Sequence, residues 1–291
     1  MWKAILSPDF FSTILRSATP ILFATLASAI AAKSGICNMA LEGIMLFSAL
    51  FGVIFSSLTH SAWLGLLITM VIGGLIGMIL AFFILNLKTD EILAAIAINL
   101  TATGGTVLIM VAFSGDRGVS SSIRSVSAPT VTLPLIEKIP FIGSVLSGQN
   151  VLTWLAILAV ILLHLFLYKT PLGLAIRAVG ENKNAAESVG ISSRKIKYIA
   201  LILSGVLASM GGFYLSGGYM NMFTKDMSGG RGFIALAASS MGGDTPVGGF
   251  LVSLLFGLAQ AVANVMQLTS LMPYEIILDG TISYDSGRFG S

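Results

Sequence analysis

The chain has 291 residues, of which 55% are hydrophobic and only 10% are Asp, Glu, Lys or Arg, with a formal net charge of +3. A water-soluble domain carries about 25% charged residues, so this chain cannot cover itself with a hydrated surface, and its solvent is lipid. The single Cys37 excludes an intrachain disulfide and a cysteine-built metal centre, the two histidines, His60 and His164, near ends of apolar runs, are too few for a metal cluster, and the small scattered positive excess excludes nucleic acid as a partner.

A spanning helix needs about 20 mostly apolar residues, and runs of that kind fall at 11–32, 36–58, 62–87, 91–114, 151–168, 197–217 and 246–266. Lys3 and Arg16 precede an apolar stretch ending in Ala29-Ile30-Ala31-Ala32, which gives the N-terminal segment the outward look of a cleavable signal peptide. The further spans behind it favour a first membrane helix instead. Between the first two runs, Lys33-Ser34-Gly35-Ile36-Cys37-Asn38 forms an interruption. A second one follows the short apolar piece 232–241, where Gly242-Gly243-Asp244-Thr245-Pro246 ends any helix by glycine freedom and proline sterics. A half-helix inside a bilayer is tolerated only where protein or a water-filled cavity satisfies its backbone, and transporters build their sites from such interrupted helices.

Polar groups gather at both breaks: Asn38 and Glu42 early, Arg231 and Asp244 late. A charge at the bilayer centre costs about 2.5–3.5 kcal/mol, so these groups are expected to face a polar interior or an interface. On the same argument, Glu42→Leu is expected to leave expression intact, or raise it, while reducing transport.

Two longer polar segments remain. Residues 115–150 hold Asp116, Arg117, Arg124, Glu137 and Lys138 with Pro129, Pro134 and Pro140, nearly balanced in charge. Residues 169–197 hold Lys169, Arg177, Lys183, Arg194, Lys195 and Lys197 against Glu181 and Glu187, six basic to two acidic. The positive-inside rule places the second segment in the cytoplasm and the first, one span earlier, outside; counting back puts the N-terminus outside. The expected fold is all-α and polytopic, with about seven to eight transmembrane helices, broken or re-entrant helices, and a cytoplasmic helical loop.

That loop is predicted to be ordered. Thr170 caps a short helix with Pro171 at its first position, and Gly180 is expected at a left-handed helix end. Asn182 caps a second short helix closed by Gly190, and Ser192 or Ser193 caps the next span. The result is a knob on the cytoplasmic face; an amphipathic hairpin lying on anionic lipid is the alternative.

The segments Thr170-Pro171-Leu172-Gly173, Arg177-Ala178-Val179-Gly180-Glu181-Asn182, Ala185-Ala186 and Gly190-Ile191 resemble the coupling loop of ABC-importer permeases of the branched-chain amino acid, ribose and nucleoside group. Gly35-Ile36-Cys37-Asn38-Met39-Ala40-Leu41-Glu42-Gly43 is similar to the broken helix near their start, with wording closest to nucleoside permeases that work with a basic-membrane-type lipoprotein. Gly232-Phe233-Ile234-Ala235-Leu236-Ala237-Ala238, with Pro246 and Gly248, is similar to their late signature. The resemblance implies a plasma-membrane pore subunit that is not itself an enzyme and binds no cofactor. ATP would sit on a separate cytoplasmic ABC ATPase, contacted through Arg177, Gly180, Glu181, Asn182, Ala185, Ala186 and Gly190. A second permease subunit, forming a heterodimer, and an external substrate-binding lipoprotein complete the implied set of partners, within membrane lipid. Family members continue from a segment like Met272-Pro273-Tyr274-Glu275 into another helix, whereas the apolar run here stops at Leu278. This divides the chain into a permease domain, 1–278, and a polar tail, 279–291, expected from truncation, a frameshift or an appended segment.

For the pathway, the polar candidates are Asn38, Glu42, Asn99 and Arg231, with Phe213, Tyr214 and Tyr219 as aromatic ones; each has a packing alternative, and Asn99 could equally bond a neighbouring helix. The chain contains no Walker A glycine–lysine loop, no paired intramembrane carboxylates and no histidine cluster, so neither catalytic nor metal-ligating residues are assigned. Nucleosides are the expected substrate. Ribose-type sugars or branched-chain amino acids remain alternatives, and an ion-coupled secondary transporter is a rival that would not need the basic knob.

Overall fold

A computed structural model describes residues 8–116, 118–120, 122–131 and 147–286, with side chains described as far as Met266. Lys3, Arg117, Pro134, Glu137, Lys138 and Pro140, and the side chains of 267–291 with the tail, lie outside the described residues.

The helices run in the order α1 (Pro8–Lys33), α2 (Leu41–Thr59), α3 (Ala62–Leu85), α4 (Glu91–Ser114), α5 (Val151–Lys169), α6 (Pro171–Glu181), α7 (Lys183–Ser188), α8 (Ser193–Phe213), α9 (Arg231–Met241) and α10 (Pro246–Ser286). A π-helical turn, Tyr214–Tyr219, extends α8. Seven of these elements are long and apolar enough to cross a membrane: α1 to α5, α8 with its π-turn, and the Pro246–Met266 part of α10. They coincide with the seven apolar runs of the sequence. The chain is an all-α, multi-pass protein of the cell membrane. One two-residue antiparallel ladder, Thr130–Val131 (β1) with Gln149–Asn150 (β2), accompanies the helices among the described residues.

The bundle is built around α1. Of its apolar window 89% is buried, against 28% for α4, and α8, α9, α10 and α5 all pack on it. Lipid is as apolar as a leucine side chain, so helices associate in a bilayer through close packing and hydrogen bonds rather than by escaping water. The sequence supplies small contact residues accordingly. Ala24, Ala27 and Ala31 on α1 are fully buried, and the Ser253 hydroxyl of α10 donates to Thr25 Oγ1 at 3.1 Å. At the crossing of α3 and α8, a Cβ on Gly205 would run into the Gly73 carbonyl, and one on Gly77 into the Leu201 carbonyl.

The second span starts later than the sequence suggests, at Leu41 rather than 36. The chain leaves α1 through Gly35 at φ +76°, and the Asn38 side chain holds the following turn by accepting from the Ala40 amide at 3.1 Å. On the opposite side, residues 118–128 lie along 217–225: the amides of Ser120, Ser125 and Ala128 donate to the carbonyls of Phe223, Asn221 and Gly217 at 2.9–3.0 Å.

The 169–197 segment forms the expected pair of short helices. Thr170 Oγ1 accepts from the Gly173 amide at 3.1 Å, Asn182 Oδ1 from the Ala185 amide at 3.1 Å, and Gly190 adopts φ +86°. Ser192 makes no side-chain cap; the Ser193 hydroxyl instead donates to the Glu187 carboxylate. Gly180 departs from expectation. It lies within α6 and is not among the glycines at positive φ. Its lack of a side chain is needed for another reason, since a Cβ there would strike the Lys33 carbonyl at the end of α1. His164 also lies inside α5 rather than at its end, its ring 4.7 Å from that of Tyr168, which in turn carries the Arg177 guanidinium 4.4 Å from its centroid.

These contacts put Lys33, Gly35 and the 169–197 knob on one side of the bundle and residues 115–131 on the other. In a Cys37→Ser background, a cysteine at Ser188 is expected to react with impermeant maleimide only from the cytoplasmic side, and one at Ser122 only from outside. Labelling of both from one side would overturn the span count.

Candidate functional site

A helix that starts inside a bundle leaves its first amides without intrahelical acceptors. The half-helix α9 has 11 residues, so Arg231 lies about 15 Å along the axis from Met241 at 1.5 Å per residue. The amides at this start are met by Glu42, at the first turn of α2. The Gly230 amide donates to Glu42 Oε1 at 2.8 Å, and the Gly232 amide to Oε2 at 2.7 Å. A carboxylate against a helix N-terminus also gains from the helix dipole. The two elements touch so closely that a Cβ on Gly232 would lie 2.5 Å from the Glu42 nitrogen.

The other early polar residues hold the same junction. Asn99 on α4 accepts from the Gly43 amide at 2.8 Å and donates to the Met39 carbonyl at 2.9 Å. The fully buried Asn38 donates to Ser204 Oγ at 2.9 Å, and the Ser204 hydroxyl donates to the Ala27 carbonyl at 2.6 Å. Asn38, Glu42 and Asn99 thus come together at one place and turn their polar atoms to backbone and serine partners. Asp244, at the second break, accepts from the Ser239 hydroxyl at 2.8 Å, while Lys33 Nζ donates to the Gly243 carbonyl at 3.3 Å. Both breaks are therefore tied to the end of α1.

Arg231 faces elsewhere. Its Nη1 donates to the carbonyls of Met227 and Ser228 at 3.1 Å, and its buried Nε has no partner among the described residues. It lines a cavity of about 300 Å³ with Arg16 and Ser17 of α1, Tyr214 and Tyr219 of the π-turn, and Gln260 and Asn264 of α10. Arg16 reaches Gln149 Oε1 through Nε at 3.4 Å, which places the cavity in the half of the bundle nearer 115–150. Of the aromatic candidates, Phe213 and Tyr214 are buried, and Tyr219 is 49% exposed. Gln260 and Asn264 are not among the candidates read from the sequence, and Arg16 figures there only as a charge near the N-terminus. A polar pair at i and i+4 inside the last apolar run was the available signal.

On the knob, Glu181, Asn182, Ala185 and Gly190 are exposed, whereas Ala186 is buried and braces α7. Val189, 74% exposed, is an apolar tip the sequence reading missed. Arg177 is half-buried over Tyr168, a contact worth about 0.5–1 kcal/mol.

The chain matches the family described as branched-chain amino acid transport system / permease component over residues 10–278. It belongs to this permease family. Among curated relatives, the permease is 34% identical over 263 residues to the nucleoside ABC transporter permease protein NupC of Lactococcus lactis, covering 87% of this chain and 81% of that one. It is 31% identical to the guanosine ABC transporter permease protein NupQ of Bacillus subtilis, with 87% and 81% covered. It is also 31% identical to the putative glucose ABC transporter permease protein TsgC13 of Haloferax volcanii, with 88% and 77% covered. No solved structure matches the permease.

The geometry reverses one expectation about Glu42. Its removal orphans two amides, and hydrogen bonds to a charged group are worth about 1.5–3 kcal/mol each. Glu42→Leu is therefore expected to lower stability by about 3 kcal/mol or more, and Glu42→Gln by about 2 kcal/mol, read as thermal unfolding midpoints in detergent. An unchanged midpoint for Glu42→Leu would mean that another acceptor serves α9.

Cys37, in the loop between α1 and α2, has its thiol pushed up first by burial and then by the negative charges of Glu91 and Asp244. A raised value means less thiolate at a given pH. Maleimide labelling of Cys37 at pH 7.5 should be slower than that of a free thiol, and Glu91→Gln should speed it. Equal rates in the native permease and the variant would remove the electrostatic cause.

Proposed function

We propose that this permease is the transmembrane subunit of an ABC importer for nucleosides. In this reading it is paired with a second permease subunit in a heterodimer, driven by a separate cytoplasmic ATPase, and supplied by an external binding lipoprotein. The observation that carries the reading is the seating of the exposed knob directly on the first break. At Gly180, the α6 backbone meets the Lys33 carbonyl and the Gly35 backbone with no side chain between them.

This contact supports a mechanical route through the subunit. Closure of the ATPase would displace α6 and α7 through the exposed Glu181, Asn182, Ala185 and Val189 surface. Packed cores pass on displacement because they have few voids to absorb it. Movement at Gly35 would pull the 34–40 loop, and with it Asn38, bonded to Ser204 of α8, and Glu42, bonded to the start of α9. Since Glu42 holds the start of α9, Arg231 and the wall of the polar cavity would follow. ATP binding shifts the pore only by the difference in contacts it makes with two pore states, and the Gly180 seat is where such a difference would enter.

The nucleoside assignment is supported by the Asn38–Gly43 wording and by the names of NupC and NupQ. TsgC13, named for glucose, favours a sugar as the second reading. In proteoliposomes holding the complete transporter, labelled guanosine or uridine uptake should require ATP and fall with excess unlabelled nucleoside, not with glucose, ribose or leucine. Inhibition by sugar alone would move the assignment to the sugar reading.

Gly180→Val is expected to leave membrane insertion intact and lower ATP-driven uptake at least tenfold, with Gly180→Ala intermediate. Uptake at the native rate in Gly180→Val together with Glu181→Arg would exclude the knob as the coupling element.

A further inference from the structure

The polar cavity differs in kind from the other large hollows of the subunit. Those of about 640 and 320 Å³ are lined almost wholly by aliphatic and phenylalanine side chains. The cavity at Arg231 is enclosed by two guanidiniums, two carboxamides and the Tyr219 ring, and none of its lining residues is acidic. Four elements far apart in the chain supply these groups: α1, the π-turn, α9 and α10. A π-helical turn inside a regular helix commonly marks a functional site. Here it swings Tyr214 and Tyr219 to the cavity wall together.

The chemistry of the lining selects among ligands. A guanidinium only donates, in a planar fork, and cannot lose its proton. Arg16 gives Nε to Gln149 and Arg231 gives Nη1 to the Met227 and Ser228 carbonyls, and with no acid among the described lining residues the donors that remain suit a ligand rich in acceptors. The Gln260 and Asn264 amides can both donate and accept, and the half-exposed Tyr219 offers a flat face for stacking. A zwitterionic amino acid would bring its ammonium between two cations. A free sugar can lay a C–H face on Tyr219 and offer hydroxyl oxygens, but it lacks a planar π-face and an edge of two fixed acceptors. A nucleobase has both, and guanine presents O6 and N7 side by side, the arrangement that a guanidinium binds in two-pronged fashion. A volume of 300 Å³ is at the lower end for small-molecule sites.

We infer that this cavity is a nucleoside-binding station on the outer half of the pathway. Arg16 and Arg231 read the acceptor edge of the base, Tyr219 stacks on its face, and Gln260 and Asn264 hold the ribose hydroxyls. The inference rests on the nucleoside reading above and adds a site and a recognition mode to it.

The test uses the complete transporter in proteoliposomes, with Ala263→Cys in a Cys37→Ser background as a reporter, because Ala263 lines the cavity. Modification by an impermeant methanethiosulfonate added outside is followed with and without guanosine. Guanosine should slow it at least fivefold, 7-deazaguanosine should need about ten times the concentration for the same effect, and ribose and leucine should do nothing. Guanosine uptake is measured in parallel with the transporter that lacks the reporter cysteine. Uptake without protection overturns the site and leaves the substrate reading intact, whereas absent uptake overturns both. Protection by glucose alone, or by inorganic phosphate alone, overturns the ligand class.

Arg16→Lys keeps the charge and loses the fork. It should raise KM for guanosine about tenfold, leave kcat within twofold, and abolish the preference for guanosine over 7-deazaguanosine. A purely structural role for Arg16 would lower uptake of both nucleosides equally and overturn its part in reading the base.

Discussion

A peptide backbone inside a membrane must find its hydrogen-bond partners within the protein, and this constraint organises the subunit. The chain breaks twice, between α1 and α2 and between α9 and α10, and begins α9 partway through the bundle. Glu42 answers the need at that beginning by giving one carboxylate oxygen to each of two glycine amides. A carboxylate is acceptor-only and divergent, so it can serve two donors that a neutral amide oxygen would serve less well. Gly232 follows from it, because the start of α9 must come within contact distance of the Glu42 backbone for the carboxylate to reach, while Gly43 makes room for Asn99 of α4.

Around that bond the rest is arranged in order of distance. Asn38 and Asn99 hold the loop that presents Glu42: Asn38, within the loop, ties it to Ser204 of α8, and Asn99 of α4 grips it at the Met39 carbonyl and the Gly43 amide. Lys33 and Gly35 join the loop to the second break and to the knob. The outward-facing half carries the polar cavity lined by Arg16, Arg231, Gln260 and Asn264. Residues that brace the break and residues that could meet a solute are thus largely different, although both are polar groups buried in a membrane protein.

Much of this was legible from the sequence because membrane spans are set by length and apolarity, which are local properties. The same holds for the caps at Thr170 and Asn182 and the glycine closure at Gly190, each determined within four residues. What was not legible depends on partners distant in the chain. Gly180 reads as a helix terminator until the Lys33 carbonyl is found against it, about 150 positions earlier. Glu42 reads as a solute ligand until the amides of 230 and 232 are found on it. Likewise, Arg16 and Asn264 reveal nothing of their shared cavity, because no local pattern records which faces of α1 and α10 meet. The π-turn Tyr214–Tyr219 escaped as well, because its six residues carry no local pattern that separates it from the ordinary end of a helix.

The burial of α1 has a consequence for biogenesis. It leaves the ribosome before α8, α9 and α10, yet those late helices cover most of it. Until they are made, a helix bearing Arg16, Thr19, Thr25 and Ser28 stands in the bilayer with its polar face uncovered. Arg16 alone would be costly there on insertion scales. The last of that cover is the Pro246–Met266 part of α10, so the nascent chain is expected to depend on the insertion machinery until nearly all of its 291 residues are made. Conditions that starve that machinery should deplete this subunit sooner than membrane proteins whose first helix faces lipid.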